Sequence, residues 1–468
     1  MKLSLKGNAI LGLALYVLLG IVFLLNWVDI RDQYMMNYGV LCITYIIVGG
    51  IYFFAMASGK VYFFDTFNIV SFLYLMIMVI YPIYDYTRLD LTKAGVDTSD
   101  ACIEGTLIFL VSYIIFCIGY FTARIHIKSN FFEQIDRLDD SIISKIAILC
   151  WCIGIAGALA GQISRGFSLQ YILSMGTIAM QEDVFINSRS GGLLFLLKLA
   201  ETYTMAQIMI LVYTKNFLLK VITYVISLVC VFMGGARIGV LVICSAPVIY
   251  WFIKRRKTPS LKMTIASFLG ALFLFAVLQV ARVSMAQGAS YLDSVGNRIF
   301  SIDTYMDVFY SDFSTYKVYY GILEAIPEKM DFLLGRGIIG YTLALAVPRA
   351  LWPDKPDAPE REVVYAALGQ KGMDSGFAYP NIGIFYSEFG IIGCIVLMWI
   401  FGVIMSKSRK LYMMKSKSAL VVYSFLWPFC FQLVARSPSM QIYSFLFALL
   451  PFIMAYIYRN LFARGEKI

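Results

Sequence analysis

The strongest constraint on the fold of this chain is a recurrence of apolar stretches, each long enough to cross a lipid bilayer. A transmembrane helix needs about 20 mostly apolar residues. With 60% hydrophobic and only 15% charged residues, the chain has more apolar side chain than a soluble core can absorb. The pattern predicts an all-α, polytopic integral membrane protein. The twelve predicted spans are residues 8–26, 37–56, 62–83, 104–122, 143–161, 191–213, 217–233, 238–253, 263–281, 380–405, 418–435 and 440–458.

Lysine and arginine are unevenly distributed among the segments between these spans. If the N-terminus is cytoplasmic, the inner segments carry 22 of them and the short outer segments carry seven. Short cytoplasmic loops are enriched in basic residues, so both termini are predicted to be cytoplasmic. The net charge of +10 then reflects membrane topology and does not indicate a nucleic-acid partner.

One predicted external loop, residues 282–379, is far longer than a connector needs to be. It divides the chain into spans 1–9 within residues 1–281, the loop itself, and spans 10–12 within residues 380–468. Its segment 332–352 is apolar enough to resemble a thirteenth span, but such a span would place the basic segment Lys407–Lys417 outside. We therefore expect a re-entrant or interfacial helix, whose backbone must be covered by protein or line a cavity.

Standard motifs point away from nucleotide and metal chemistry. The chain has no GxxxxGK[ST] and no DxD, and its nine cysteines form no CxxC pair. A GxGxxG match at residues 335–340 lacks a strand and helix around it, so we interpret it as chance or loop flexibility. The single histidine, His126, lies in a predicted cytoplasmic loop. We expect no metal, nucleotide or other cofactor.

Several ionisable residues fall inside predicted spans, where charge is costly and faces the bundle interior. Lys198 and Glu201 are three residues apart on one helical face, which favours a mutually neutralising pair. Asp65 lies near the inner end of its span and is expected to reach the interface. Glu388 lies about two turns below the predicted outer surface. A structural link to an arginine and a catalytic role are both open for Glu388.

Arginine predominates over lysine at the predicted outer surface. Its guanidinium group suits bidentate phosphate recognition, although single arginines can also anchor helix ends by pairing with lipid headgroups. Several arginines around one long loop favour an anionic, lipid-linked ligand. These residues are Arg165, Arg189, Arg237, Arg282, Arg298, Arg336, Arg349, Arg361 and Arg436.

Four features together resemble the Wzy-type polymerases of bacterial O-antigen and capsule. One is the late external loop, and another is the Arg–x–Gly turn Ala236-Arg237-Ile238-Gly239. The stretch Val347-Pro348-Arg349-Ala350-Leu351-Trp352-Pro353-Asp354-Lys355-Pro356 is similar to the PR-x-x-WP-x-KP segment of repeat-unit polymerases. The fourth feature is Asp374-Ser375-Gly376 followed by Ser387-Glu388-Phe389-Gly390-Ile391-Ile392-Gly393.

This resemblance implies a GT-C-like membrane glycosyltransferase in the bacterial inner membrane. It would polymerise undecaprenyl-diphosphate-linked oligosaccharide units at the extracytoplasmic face, with a flippase and a chain-length regulator as partners. Fixed cations would stabilise the departing diphosphate, and a carboxylate would serve as the base. Asp374 and Glu388 are the predicted catalytic residues. The predicted binding residues are Arg237, Arg282, Arg349, Arg165, Arg361 and Lys355, of which Arg165…Gly176 and Arg361…Gly372 also match the Arg-x10-Gly pattern of some family members.

The loop also contains aromatic side chains that could stack on sugars or pack inside a folded loop. They are Tyr305, Tyr310, Tyr319, Tyr320 and Trp352.

Other functions are open from the sequence. A flippase or transporter is the first alternative, although no internal repeat is visible. An O-antigen ligase is less favoured, because the similar ligases have an external histidine and this chain has none. A scaffold protein would not need arginines at one surface.

Overall fold

A computed structural model describes most of the chain. The residues outside the description are 1, 125–129, 164–193, 234–236, 287–300, 302–304, 306–312, 346, 348–350, 353, 355, 357, 375–377, 415, 437 and 463–468. Some helical residues are described by their backbone alone. These are residues 2–11, 130, 161–163, 194–198, 200, 232–233, 237–238, 268, 278–286 and 371–374.

The regular secondary structure of the described residues is helical apart from one two-stranded hairpin, β1 (Thr92–Lys93) and β2 (Val96–Asp97). In the first half, a π-helical turn at Met76–Ile80 joins α3 to α4. The helices of this half are α1 (Lys2–Asn26), α2 (Met35–Ala57), α3 (Thr66–Leu75), α4 (Tyr81–Arg88), α5 (Cys102–Thr122), α6 (Asn130–Ile135), α7 (Asp140–Ile163), α8 (Leu194–Tyr213) and α9 (Phe217–Met233). The remaining helices are α10 (Arg237–Lys254), α11 (Leu261–Ala286), α12 (Tyr316–Ala325), α13 (Thr342–Leu345), α14 (Pro359–Asp374), α15 (Asn381–Met413), α16 (Lys417–Ala435), α17 (Pro438–Ala448) and α18 (Leu450–Phe462).

Seven described helical stretches are long and apolar enough to cross a membrane, and α17 with α18, bent by 42°, would make an eighth. The prediction of an all-α, multi-pass membrane protein is confirmed at this level. The seven are Gly12–Asp29, Asp32–Ala57, Thr66–Arg88, Cys102–Thr122, Asp140–Ala160, Asn381–Met413 and Lys417–Ala435. Helices α8–α11 lie at the other four predicted spans, but their described residues do not meet the same criteria of length and apolar character. The number of twelve spans therefore stays a prediction.

Buried side chains form two main hydrophobic cores. The first joins α2–α5 to α12, α14 and α15, and the second joins α7, α8, α10 and α16–α18. Helices α5 and α15 pack along each other in the first core, as α7 and α8 do in the second. Both α12 and α14 belong to the predicted external loop, yet their apolar faces lie in the first core. The described helices of the loop therefore pack onto the bundle.

Helix α15 is broken one residue after Glu388. Phe389 has φ −143° and ψ 20°, and Gly390 has φ +63°. The carbonyl oxygens of Ser387 and Glu388 accept hydrogen bonds from the backbone N–H groups of Leu333 and Leu334, at 2.8 and 2.9 Å. The carbonyl groups of Ser387 and Glu388 therefore bond to the segment that contains Leu333 and Leu334. The break in α15 lies directly after them.

The segment 332–352 does not form a helix of spanning length in its described part. It contains a π-helical turn at Arg336–Tyr341 followed by the single turn of α13. Leu333 and Leu334 bond to the backbone of α15, whereas the side chains of Leu334, Ile339 and Leu343 are 72%, 62% and 68% exposed. A re-entrant or interfacial position for this segment therefore stays a prediction.

Candidate functional site

The π-helical turn Arg336–Tyr341 is built around the carboxylate of Glu388. The N–H of Gly335 donates to Glu388 Oε2 at 2.6 Å, and the N–H of Ile338 donates to Oε1 at 2.7 Å. The Glu388 side chain is fully buried. Backbone N–H groups that converge from one turn make a concavity that binds an anion, and here the chain supplies the anion itself. We name residues 335–338, which enclose the carboxylate, the nest.

Two glycines of the GxGxxG match are required by this geometry. Gly335 has φ +92°, a conformation that side chains disfavour. A Cβ at Gly337 would collide with Glu388 Oε1. The sequence-based interpretation did not foresee this role, in which the two glycines allow the backbone to enclose a carboxylate.

The nest presents Arg336 to a groove beside α14. The Arg336 side chain is 63% exposed, and its Nη2 lies 3.9 Å from Glu362 Oε2. The groove has a volume of about 1090 Å³. Its charged and polar lining residues are Lys329, Asp331, Arg336, Arg361, Glu362, Tyr365 and Gln370. Two guanidinium groups and one ammonium group therefore face one concave surface, together with two carboxylates.

The structure places only part of the predicted site. Arg361 lies in the first turn of α14 and lines the groove, and Glu388 lies beneath it in the nest. Arg237 begins α10, Arg282 lies near the end of α11 and Asp374 ends α14, but their side chains are outside the description. The predicted residues that lie wholly outside it are Arg165, Arg349 and Lys355.

Most tyrosines of the loop that the structure describes pack inside the protein. Tyr319 and Tyr320 are 0% and 1% exposed. The Tyr319 hydroxyl donates to Gly105 O at 3.1 Å, and the Tyr320 hydroxyl lies 3.0 Å from Thr106 Oγ1. Of the two alternatives open for these rings from the sequence, packing inside a folded loop is the one that the structure shows for Tyr319 and Tyr320. Trp352, another aromatic residue of the loop, is 41% exposed.

A buried ion cluster, absent from the sequence-based prediction, joins α12 to the end of α4. Lys317 Nζ lies 3.0 Å from Asp85 Oδ2 and 3.3 Å from Asp90 Oδ1, and it donates to Asp90 O at 2.6 Å. The Tyr316 hydroxyl donates to Asp85 Oδ2 at 2.6 Å. We name Lys317, Asp85, Asp90 and Tyr316 the loop anchor, since they tie the predicted external loop to a candidate span.

The hairpin β1–β2 lies against the same helix. Lys93 Nζ donates to Ser314 Oγ at 3.0 Å, and burial together with the nearby Lys317 charge lowers the pKa of Lys93 from 10.5 to about 8. Glu324, later in α12, accepts from the Ala101 N–H at 3.3 Å, and burial raises the pKa of its carboxyl. The hairpin also contributes Val96 to the groove.

A second ion pair lies at the opposite end of α15. Arg409 Nε lies 3.1 Å from Asp65 Oδ2, the Tyr120 hydroxyl donates to Asp65 Oδ1, and Asp65 is 2% exposed. The side chain of Asp65 also accepts from the Phe67 N–H and caps α3. A position of Asp65 at the membrane interface stays a prediction. Within the protein its carboxylate is buried beside Arg409, which neutralises it.

Within the described residues, no group of three or more histidine, cysteine, aspartate and glutamate side chains is arranged to hold a metal ion. Comparison with known proteins adds no further assignment: no family model, no curated protein and no solved structure matches the chain.

Proposed function

We propose that this protein is a membrane glycosyltransferase that polymerises undecaprenyl-diphosphate-linked oligosaccharide units into a surface polysaccharide. In this proposal the chain has twelve spans and cytoplasmic termini in a bacterial inner membrane, and it acts at the extracytoplasmic face. Its partners would be the lipid-linked substrate, a flippase and a chain-length regulator. The motif resemblance supplies the family, and the groove between the nest and α14 supplies the site.

The groove is the single observation that carries the proposal. All of its lining residues except Val96 lie in the predicted external loop, and its volume of about 1090 Å³ is slightly above the ~300–1,000 Å³ typical of small-molecule sites. Such a volume suits several sugar rings. Arg336 and Arg361 offer planar, permanently charged donors to phosphate oxygens, and the half-exposed ring of Tyr365 offers a stacking face.

The chemistry follows from these groups. The bond between the anomeric carbon and the diphosphate oxygen breaks, and its electron pair leaves with the diphosphate. An acceptor hydroxyl forms the new carbon–oxygen bond, and its proton passes to a base. Arg336 and Arg361 would stabilise the charge that develops on the leaving diphosphate. Arg237, Arg282, Arg349, Arg165 and Lys355 remain proposed contributors.

Asp374 is the better of the two predicted bases. A base must come within hydrogen-bonding distance of the proton that it accepts. Glu388 is buried, and each of its carboxylate oxygens already accepts a backbone hydrogen bond. Asp374 ends α14, four residues past Gln370, which lines the groove, and beyond a kink at Gly369. Because both oxygens of Glu388 are already engaged, we propose Asp374 as the base.

A flippase is the second candidate, because α15 is discontinuous at Phe389–Gly390 and discontinuous spans are typical of transporters. An assay without an energy source separates the two. Purified protein in vesicles with lipid-linked repeat units forms longer chains if it is a polymerase. If it only moves the substrate across the bilayer, chain length stays at one unit.

The site assignment is tested by Arg361→Ala in cells that lack the native protein. At equal membrane abundance, we expect the long-chain ladder of surface polysaccharide to shorten or disappear on a gel. The matched control is Arg31→Ala, since Arg31 is exposed on the same predicted side and does not line the groove. A normal ladder from the Arg361 variant refutes the assignment, as does equal loss from both variants.

A further inference from the structure

The turn that carries Arg336 is held to α15 by four short hydrogen bonds. Two join backbone to backbone, from Leu333 and Leu334 to the carbonyls of Ser387 and Glu388. The other two join the N–H groups of Gly335 and Ile338 to the Glu388 carboxylate. Arg336 lies between these last two donors.

We infer that Glu388 is a positioning residue that acts through the nest to hold Arg336 in the groove. The inference rests on the proposed function, since it concerns the leaving group of glycosyl transfer. Glu388 touches neither the substrate nor the reacting atoms. It fixes the backbone on both sides of Arg336, so that the guanidinium group starts from one position instead of many.

The flexibility of the arginine side chain explains why anchoring matters. Arginine loses considerable rotamer entropy when it is held in one geometry. The Arg336 side chain is 63% exposed, and its contact with Glu362 is 3.9 Å long. Contacts at its tip are therefore too weak to orient it. The nest removes the freedom of the backbone, and a fixed cation stabilises a developing negative charge without reorganising during the reaction.

Only glutamate satisfies this arrangement. Its two oxygens accept from two donors on different residues, and hydrogen bonds to an ionised acceptor are stronger than neutral ones. Glutamine at position 388 has a single acceptor oxygen, so its NH₂ group would face the N–H of either Gly335 or Ile338. Aspartate is one methylene shorter and cannot reach both donors from the same backbone position.

A double-mutant cycle on polymerisation kinetics tests the inference. Arg336→Ala and Glu388→Gln are each expected to lower kcat by about tenfold or more, comparable to one lost charge-assisted hydrogen bond. If Glu388 acts through Arg336, the double variant is no slower than Arg336→Ala alone. Losses that multiply in the double variant overturn the inference, because Glu388 would then act independently of Arg336.

Arg361 gives the matched control for this cycle. It lines the same groove but lies on α14 and is not part of the turn that binds the Glu388 carboxylate. Glu388→Gln combined with Arg361→Ala is expected to show multiplied losses, since the two changes act on different cations. Equal non-additivity with Arg336 and Arg361 would mean that Glu388 supports the whole fold, which also overturns the inference.

Hydrogen–deuterium exchange of the purified, substrate-free protein keeps the inference separate from the polymerase assignment. Amide exchange in residues 333–341 is expected to accelerate in Glu388→Gln and to stay unchanged in Arg336→Ala. If the wild-type protein forms no chains but exchange responds in this way, the proposed function fails and the anchoring stands. Unchanged exchange in Glu388→Gln refutes the anchoring even in an active polymerase.

A second variant covers the case in which Glu388→Gln does not fold. Gly337→Ala leaves the carboxylate in the chain but places a Cβ against Glu388 Oε1. We expect it to accelerate exchange in residues 333–341 and to lower kcat without a further loss when Arg336 is also removed. A fully active Gly337→Ala protein with wild-type exchange contradicts the inference.

Discussion

Replacing Lys317 by methionine should detach the predicted external loop from the bundle. The Lys317 side chain is 0% exposed, and Asp85, its partner at 3.0 Å, is 1% exposed. Methionine is similar in size but leaves the Asp85 carboxylate buried without its countercharge. Asp90 is 45% exposed and can turn to water, so its share of the loss is small.

The magnitude follows from the burial of the pair. Removing one partner of a buried ion pair costs about 3–5 kcal/mol. Each kcal/mol lost lowers the unfolding temperature of a large chain by ~2 °C. The unfolding temperature in detergent should therefore fall by roughly 6–10 °C. The unfolding is followed by intrinsic tryptophan fluorescence. Hydrogen–deuterium exchange should show the earliest loss of protection in α12.

The exposed pair Lys417–Asp140 is the matched control. Its N–O distance is 2.7 Å, shorter than the 3.0 Å between Lys317 and Asp85, but its side chains are 40% and 41% exposed. A pair of this kind contributes about 0–1 kcal/mol, so Lys417→Met should shift unfolding by no more than about 2 °C. If the shorter bond proves the more stabilising, our reasoning from burial is refuted.

Removing both charges distinguishes charge from packing. Lys317→Met combined with Asp85→Asn leaves no buried charge, and the Tyr316 hydroxyl keeps an oxygen to donate to at position 85. We expect the double variant to regain most of the lost stability. A double variant that is less stable than Lys317→Met would show that Lys317 stabilises the loop by packing.

Two further predictions concern charge at the two ends of the bundle. Because the pKa of Lys93 is lowered to about 8, the native state releases this proton before the unfolded state does, so Lys93 should make stability rise between pH 8 and about 10.5. The difference in unfolding temperature between wild type and Lys93→Met isolates this effect, and a difference that is flat with pH contradicts it. At the other end, Arg409→Gln leaves the buried Asp65 carboxylate without its countercharge. It should lower the free energy of unfolding by about 3–5 kcal/mol, measured by thermal unfolding. Arg409→Lys should recover part of that loss, and wild-type stability of the glutamine variant would refute the role of the pair.

The helices of this protein were more predictable from the sequence than its site. Insertion into a bilayer demands about 20 apolar residues in a row, and this requirement is local, so every candidate span of the structure falls on a predicted one. The loop anchor joins Lys317 to Asp85, which are far apart in sequence. Its only local signals were an acidic residue just past a span end and a lysine among tyrosines.

The nest shows a different limit of sequence reasoning. Its two halves are the GxGxxG segment and Glu388, and the sequence predicts either an arginine partner or a catalytic role for the carboxylate. Backbone N–H groups carry no sequence signature of their own. Only the positive φ of Gly335 and the missing side chain of Gly337 indicate that the main chain is the partner.

The attachment of α15 at both of its ends makes the protein sensitive to bilayer thickness. The unbroken part of α15 from Ile391 to Arg409 is about 27 Å long, close to the ~30 Å hydrocarbon core of a membrane. Since Glu388 and Arg409 are each bonded to another part of the bundle, α15 cannot slide or tilt freely when lipid tails shorten or lengthen. The strain of a mismatched bilayer would concentrate at the break after Glu388, next to Arg336, so acyl-chain length becomes a means of controlling the groove.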